Sequence, residues 1–396
     1  MSTARSVAMP LEAASAVRTS TGALLLLSLG HFFIDMYSGA LSALQPRLVS
    51  KLGLSLAQAG ILGGMLICSS SLLQPLYGYL SDRFHSRMFT VLAPAVAGVF
   101  ISALGLAPSY SMLLLLVFLG GVGIASFHPQ ASSRVTHGVE SSRGTWMAIF
   151  ISAGTLGMAI GPTYFSYMPQ WLGLDSMHWA AIPGVACTAF LLLMLDEQPA
   201  PAARRGFELG PLKRVQRPLT LLFLCVVVRS IVQVTYAQLL PLYLYRERGM
   251  PIARASFVLT MYLAFGALGG MVGGRLTDRI GGRRVIMISM IGSVPFLLGF
   301  FFLTGPLSIA SLLLGGLVLL FTIPVNVVMA QELAPGQTGT VSALMMGFAW
   351  GSAGLVFVPL SGWASDLFTM HRVLATLALF PLLGFVFARM LPAKFE

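Results

Sequence analysis

The sequence predicts an all-α integral membrane protein whose twelve transmembrane helices form two pseudo-symmetric six-helix halves. Three observations carry that prediction. The 396-residue chain is 56% hydrophobic and only 9% charged, far from the roughly 25% charged residues of a soluble domain. Twelve apolar segments, centred near residues 34, 68, 97, 122, 155, 186, 231, 264, 294, 318, 349 and 381, each run for about 20 residues. At about 1.5 Å per residue that length crosses a hydrocarbon core about 30 Å thick. Two short polar turns, Gly78-Tyr-Leu80-Ser-Asp82-Arg83-Phe-His-Ser-Arg87 and Gly274-Arg-Leu276-Thr-Asp278-Arg279-Ile-Gly-Gly-Arg283, share Gly, Leu, Asp, Arg and Arg at the same spacing, 196 positions apart. The repeat marks a doubled unit. None of the apolar runs alternates as a barrel strand would.

Taken in order, residues 1–20 form a polar, lightly basic tail. The apolar run that follows exceeds the roughly 7 to 15 residue core of a cleaved signal peptide and is expected to remain as the first helix. Segments 1 to 6 fill residues 21–195. A linker, 196–218, carries Pro199, Pro201, Pro211, Pro218 and five basic residues, and segments 7 to 12 fill 219–396. Cys68, Cys187 and Cys225 lie inside segments without metal-like spacing and read as packing residues. With the N-terminus inside, 17 of the 24 Lys and Arg are cytoplasmic and 6 are outside, Arg229 lying within segment 7. That is the positive-inside pattern, with both termini cytoplasmic. The net charge of +11 therefore reports topology and attraction to anionic lipid, not nucleic-acid binding.

In each polar turn the glycine, Gly78 or Gly274, lets two helices approach. The aspartate, Asp82 or Asp278, can pair with Arg83, Arg87, Arg279 or Arg283, or accept N–H groups at a neighbouring helix N-terminus. Such a contact suits a gating latch between rocking halves. The alternative is a hairpin that only fixes topology.

Of the thirteen acidic residues only Asp35 falls well inside a segment, roughly 20 Å along the first helix counted from Thr21. A carboxylate there must face a cavity or a partner. His31, Asp35, Ser38, Ser42 and Gln45 follow steps of 4, 3, 4 and 3, one face of a helix. Arg229, Gln233, Tyr236 and Tyr243 share a face of segment 7, and Pro46 and Pro241, 195 residues apart, make segments 1 and 7 equivalents. Two facing stripes, one acidic and one basic, would line a central cavity. Either Asp35 and Arg229 form an ion pair that holds the halves together, or Asp35 carries a proton while Arg229 holds an anionic group or tunes that proton. His31 either joins the relay, as an imidazole that titrates near neutral pH, or is a satisfied core residue.

In segment 4, Pro129 deprives a carbonyl one turn earlier of its donor beside His128 and Gln130. The kink offers ligand contacts, or it is a packing kink whose histidine caps the freed carbonyl. Gly154, Gly157, Gly161 and Pro162 in segment 5 read as helix packing.

Together, His31-x3-Asp35 with Gly39 and Pro46, Ser71-Leu-Leu-Gln74-Pro75-x2-Gly78-Tyr79-x2-Asp82, Phe127-His128-Pro129-x2-Ser132-Ser133-Arg134 and Gly154-x2-Gly157-x3-Gly161-Pro162 resemble the fosmidomycin-resistance family, and the polar turns resemble the signature loops of the major facilitator superfamily. The resemblance implies the major facilitator fold and a monomer in a bacterial inner membrane. It implies a secondary active transporter working by alternating access, with proton-coupled efflux, or antiport, of a drug or small metabolite. An anion is physically reasonable because Arg229, His31 and His128 outnumber Asp35. The alternative is a proton-coupled uptake symporter or facilitator for a small organic anion. On this reading Asp35 and His31 couple protons, while Arg229, Gln233, Tyr236, His128, Gln130, Ser38, Ser42 and Gln45 contact substrate. The resemblance implies an acid after the His-Pro step; this sequence has Gln130 there, which leaves Asp35 as the better candidate for proton carrier. The expected partners are a small-molecule substrate, protons and membrane lipid. No cofactor is expected, since a proton gradient is the energy source. With no Gly-x-Ser-x-Gly, no metal-ligand cluster and no nucleotide-binding Gly-x4-Gly-Lys loop, the sequence reads as neither an enzyme nor an ATP-driven pump.

Overall fold

The structure, a computed structural model, describes residues 20–84, 86–135, 143–196 and 213–392. Nearly all of the expected tail, residues 1–20, and most of the linker, 196–218, lie outside these residues, as does the Asp82 side chain. Twelve helices are long and apolar enough to cross a membrane: α1 Thr21–Leu52, α2 Leu56–Leu80, α3 Met88–Leu106, α4 Tyr110–Val135, α5 Trp146–Leu172, α6 Met177–Met194, α7 Gln216–Arg246, α8 Ile252–Ile280, α9 Gly282–Phe302, α10 Gly305–Leu333, α11 Val341–Leu367 and α12 Met370–Arg389. No strand occurs among the described residues. Helices alone satisfy the backbone N–H and C=O groups of a lipid-embedded segment internally. The centres of α5 and α11 fall later than the expected 155 and 349. Both helices run on to Leu172 and Leu367, with the Ser166 and Ser365 hydroxyls donating back to the Thr163 and Ser361 carbonyls of their own helix. Where α1 does end, Gly53 takes φ 63°, the left-handed stop a glycine provides. Ser55 and Gln58 then start α2 with a reciprocal capping box.

The sequence repeat is also a packing repeat. Gly120 of α4 faces Ile101 of α3, and 195 residues on Gly315 of α10 faces Leu297 of α9. Gly78 faces Pro129 as Gly274 faces Pro324. Arg87 donates to the Leu195 carbonyl at the end of α6, and Arg283 donates to the Ala388 and Arg389 carbonyls at the end of α12. In each half the last arginine of the polar turn thus complements the C-terminal dipole of that half's own last helix.

The halves meet at the end of the bundle opposite the polar turns. There Gly60 of α2 lies against Val358 and Gly362 of α11 with no room for a Cβ, and Thr163 of α5 hydrogen-bonds Thr260 of α8 at 2.7 Å. Asp366, near the end of α11, accepts the backbone N–H groups of Leu56 at 2.9 Å and Ala57 at 2.7 Å in the first turn of α2. A carboxylate from one half thereby caps a helix N-terminus of the other. Both α2 and α11 contain a π-turn, at Cys68–Leu72 and Leu344–Phe348. Beyond it, toward the polar turns, the Gln74–Phe84 stretch of α2 packs on α4 of its own half. The cleft between the halves therefore opens at the polar-turn end. Asp278 and Arg279 are exposed there without a partner among the described residues, and Arg83 contacts its neighbours Tyr79, at 3.4 Å, and the Phe84 ring. At the second turn the expected latch of Asp278 is disengaged in this state, that of Asp82 lies outside the described residues, and an engaged inter-half contact is the one at Asp366.

If Asp366 holds the far end shut, Asp366→Ala in a cysteine-free background should raise the maleimide reactivity of a cysteine placed at buried Ala59 several-fold. Equal labelling rates with and without the aspartate would show that helix packing alone closes this end.

Candidate functional site

Two charged groups sit deep in the cleft, one on each half, and each is satisfied differently. Asp35, 8% exposed, receives two imidazoles: His31 Nε2 lies 3.3 Å from one carboxylate oxygen and His128 Nε2 lies 3.3 Å from the other. His31 is one turn earlier on α1, so the pair follows from helical spacing. His128 arrives from α4. Gly154 of α5 leaves the space that the His31 ring fills, and Gly157 lies directly on the Phe32 carbonyl, so the helix-5 glycines pack α5 onto the face of α1 that carries the site.

The ring nitrogens remote from Asp35 fix the protonation pattern. His31 Nδ1 is 2.8 Å from the Phe150 carbonyl, and His128 Nδ1 is 3.0 Å from the Ile124 carbonyl. A carbonyl only accepts, so each Nδ1 carries the hydrogen. Each Nε2 then faces a carboxylate oxygen across a gap that is bonded only when a proton occupies it. The triad accordingly holds two proton positions and passes through net charges of −1, 0 and +1 as they fill. At 3.3 Å both gaps exceed the roughly 2.7–2.9 Å of a tight charge-assisted bond. His31 stacks on Phe150 with centroids 4.1 Å apart and is enclosed, whereas the His128 side chain is 24% exposed and gives the triad its access to the cleft. The sequence reading contained no metal-ligand cluster; the fold nonetheless brings these three ligand atoms within 4.8 Å of one another, a spacing that could hold a small cation.

Arg229 of α7, 5% exposed, has no carboxylate within 4.0 Å among the described residues. Its guanidinium donates to the side-chain carbonyl of Gln233 one turn on and to Ser230 Oγ at 3.1 Å, and its Nε is unpaired. The Asp35–Arg229 ion pair that the facing stripes allowed is therefore not formed. With Gln233, Asn326 and Trp350, Arg229 lines a cavity of about 120 Å³.

Several sequence-predicted contacts are placed elsewhere. Gln130 is fully engaged: its carbonyl accepts Thr90 N–H at 3.2 Å and Thr90 Oγ1 at 2.6 Å, and its amide donates to the Ser86 carbonyl at 2.8 Å. It ties α4 to the polar turn and the start of α3. Tyr236 is fully buried and donates to the Leu374 carbonyl at 2.8 Å, and Tyr243 pairs with His371 and Arg248. Both are packing residues of the C-terminal half. Gln45 donates to the Ala59 carbonyl at 3.2 Å and Ser42 to the Gly39 carbonyl at 3.0 Å, both pointing into helix contacts; Ser38 is half-buried at the break in α1. His128 moves from the substrate-contact set to the partner of Asp35, one residue short of capping the Ala125 carbonyl that Pro129 frees. The residue overlooked was Asn326, although the sequence carried a signal: it is the chain's sole asparagine, inside an apolar helix.

Fold and site define a polytopic carrier with a charged cleft between repeated halves. The sequence matches the family described as the Major Facilitator Superfamily over residues 27–358 and again over 222–394, and the chain belongs to that superfamily. It is 30% identical over 381 residues to the "Fosmidomycin resistance protein" of Escherichia coli strain K12, covering 93% of this chain and 92% of the relative. It is 28% identical over 401 residues to the "Uncharacterized MFS-type transporter YfnC" of Bacillus subtilis strain 168, covering 98% and 97%. Among solved structures, a bacterial homologue of the human lysosomal transporter Spinster superposes with a TM-score of 0.82 at 15% identity, over 94% of this chain and 96% of that one. The chain is thus a multi-pass membrane transporter and not an enzyme.

The reassignment of Gln130 has a measurable consequence. Gln130→Leu strands the Thr90 hydroxyl and the Ser86 carbonyl, each worth about 1–3 kcal/mol when left unpaired, while the Thr90 N–H keeps the Arg87 carbonyl at 3.0 Å. The variant should unfold several degrees lower in a thermal scan while its ligand affinity stays within about twofold of native. A large loss of affinity at unchanged stability would return Gln130 to the binding site.

Proposed function

We propose that this transporter is a proton-coupled exporter, an antiporter of small organic anions, in a bacterial inner membrane with both termini cytoplasmic. The observation that carries the reading is the separation of two unlike charge sites: a proton-holding triad on the N-terminal half and an arginine without a carboxylate on the C-terminal half. A buried guanidinium is costly unless an anion meets it, and in this cleft the anion comes from the substrate. By the positive-inside count the polar-turn end is cytoplasmic, so the open cleft loads from the cytoplasm. The resistance named for the Escherichia coli relative fits export.

Exchange requires that the two occupants exclude one another. A substrate whose anionic group sits on Arg229 and whose other end reaches His128 would displace the proton from the His128–Asp35 gap. The cleft then closes at the polar turns, where Asp82 or Asp278 engages, and opens at the far end as Asp366 releases α2. Protons refill the triad from outside and the cycle reverses. Opposite charge favours a second reading, uptake by symport, because a proton and an anion held together in one cleft attract each other.

In inside-out vesicles, a labelled phosphonate should accumulate only when the lumen is acidic, and Asp35→Asn should abolish the gradient-dependent part. His128→Asn should reduce it at least tenfold, and Arg229→Gln should raise the half-saturating concentration by a similar factor. Accumulation that persists undiminished in Asp35→Asn would overturn the assignment of the proton carrier, while accumulation driven by the reverse gradient would establish the symport reading.

A further inference from the structure

Asn326 is 1% exposed, and neither its Nδ2 nor its Oδ1 has a hydrogen-bond partner. A buried carboxamide normally spends both ends on protein groups. Here both ends are buried without a partner, and the residue lines a cavity of about 120 Å³ with Arg229, Gln233 and Trp350 that is otherwise walled by apolar side chains such as Met345 and Ile323. The Gln233 carbonyl is already taken by Arg229. Asn326 therefore supplies the pocket with a free acceptor beside the cation, together with a free donor.

Resting on the reading of Arg229 as an anion site, we propose that Asn326 is a specificity-determining residue that selects oxyanions carrying a hydroxyl or N–H on the adjoining atom. The two ends of the amide set opposite demands. Nδ2 can join Arg229 on the anionic oxygens, but Oδ1 repels an anionic oxygen and is satisfied only by a donor. A bare anion fills the arginine and leaves Oδ1 buried and unpaired. An α-hydroxy anion meets both demands. A site built to hydrogen-bond a hydroxyl discriminates strongly against the analogue that lacks it. A cavity of about 120 Å³ has room for such a head group.

The test compares two probes, hydroxymethylphosphonate and methylphosphonate, titrated calorimetrically into the purified full-length protein. Native protein should prefer the hydroxylated probe by at least about tenfold. Asn326→Leu, close in shape, should bring the two dissociation constants within about threefold of each other. It should also raise the thermal midpoint of the ligand-free protein by about 1–3 °C, because an unpaired buried amide is removed; a purely structural asparagine would shift the midpoint the other way. Asn326→Ser provides the same comparison of probes should the leucine variant fail to fold. Equal affinity of native protein for both probes, or a preference that survives in both variants, overturns the inference while leaving the anion site standing. Binding of neither probe by native protein overturns the anion site and this inference together.

Discussion

Every charge carried into the hydrocarbon must be met there, at a cost of about 3 kcal/mol or more when it is not, and the two halves of this transporter meet that constraint in opposite ways. Asp35 is answered from within, by His31 on its own helix and His128 on α4. Arg229 is answered only by the neutral Gln233 and Ser230. The first arrangement can change charge without changing partners, because protons fill or leave the two imidazole–carboxylate gaps. The second stays positive throughout, and on the proposed reading its charge is compensated by an anion from outside the protein. On the proposed reading these are a proton store and an anion receptor facing one cleft, the elements of a coupled carrier.

The doubled architecture sets how that cleft opens. Corresponding contacts recur about 195 residues apart, from Gly120–Ile101 and Gly315–Leu297 to the arginines that anchor the last helix of each half. Each half is thereby a stiff unit, and relative movement is left to the seam. The seam is closed by glycine contacts between α2 and α11 and by Asp366 on the N-terminus of α2. The π-turns of α2 and α11 lie where the two helices separate, at a kind of irregularity that recurs at functional sites. Asp366 occupies the same chemical role at one end, a carboxylate on a helix N-terminus, that the polar-turn aspartates are suited to play at the other.

Much of the fold is legible in the sequence because a bilayer imposes a length and a composition on each span, and both can be read by eye. The errors at α5 and α11 arise where the helix runs on through polar residues such as Ser166 and Ser365, to Leu172 and Leu367. The site is legible in part. Periodicity on α1 identifies His31 and Asp35, and scarcity of charge identifies Arg229. Periodicity cannot say which helix supplies the second partner, so the sequence leaves an Asp35–Arg229 pair open where the fold gives Asp35 His128. It also cannot separate a lining residue from a packing one on the same face, which is why Tyr236 and Gln130 read as substrate contacts although their polar groups bond to the protein in this state. Asn326 stood out only by being unique, and its meaning required knowing that both ends of its amide are unpaired.

The central claim is that a substrate on Arg229 and a proton in the His128–Asp35 gap exclude one another. The most direct measurement is the proton exchanged on binding: add a saturating phosphonate to weakly buffered purified protein and follow pH with an indicator dye, for native protein and for Asp35→Asn. The account predicts release of about one proton per ligand bound by native protein and none by the variant. Proton uptake by native protein, or the same release from Asp35→Asn, would contradict it.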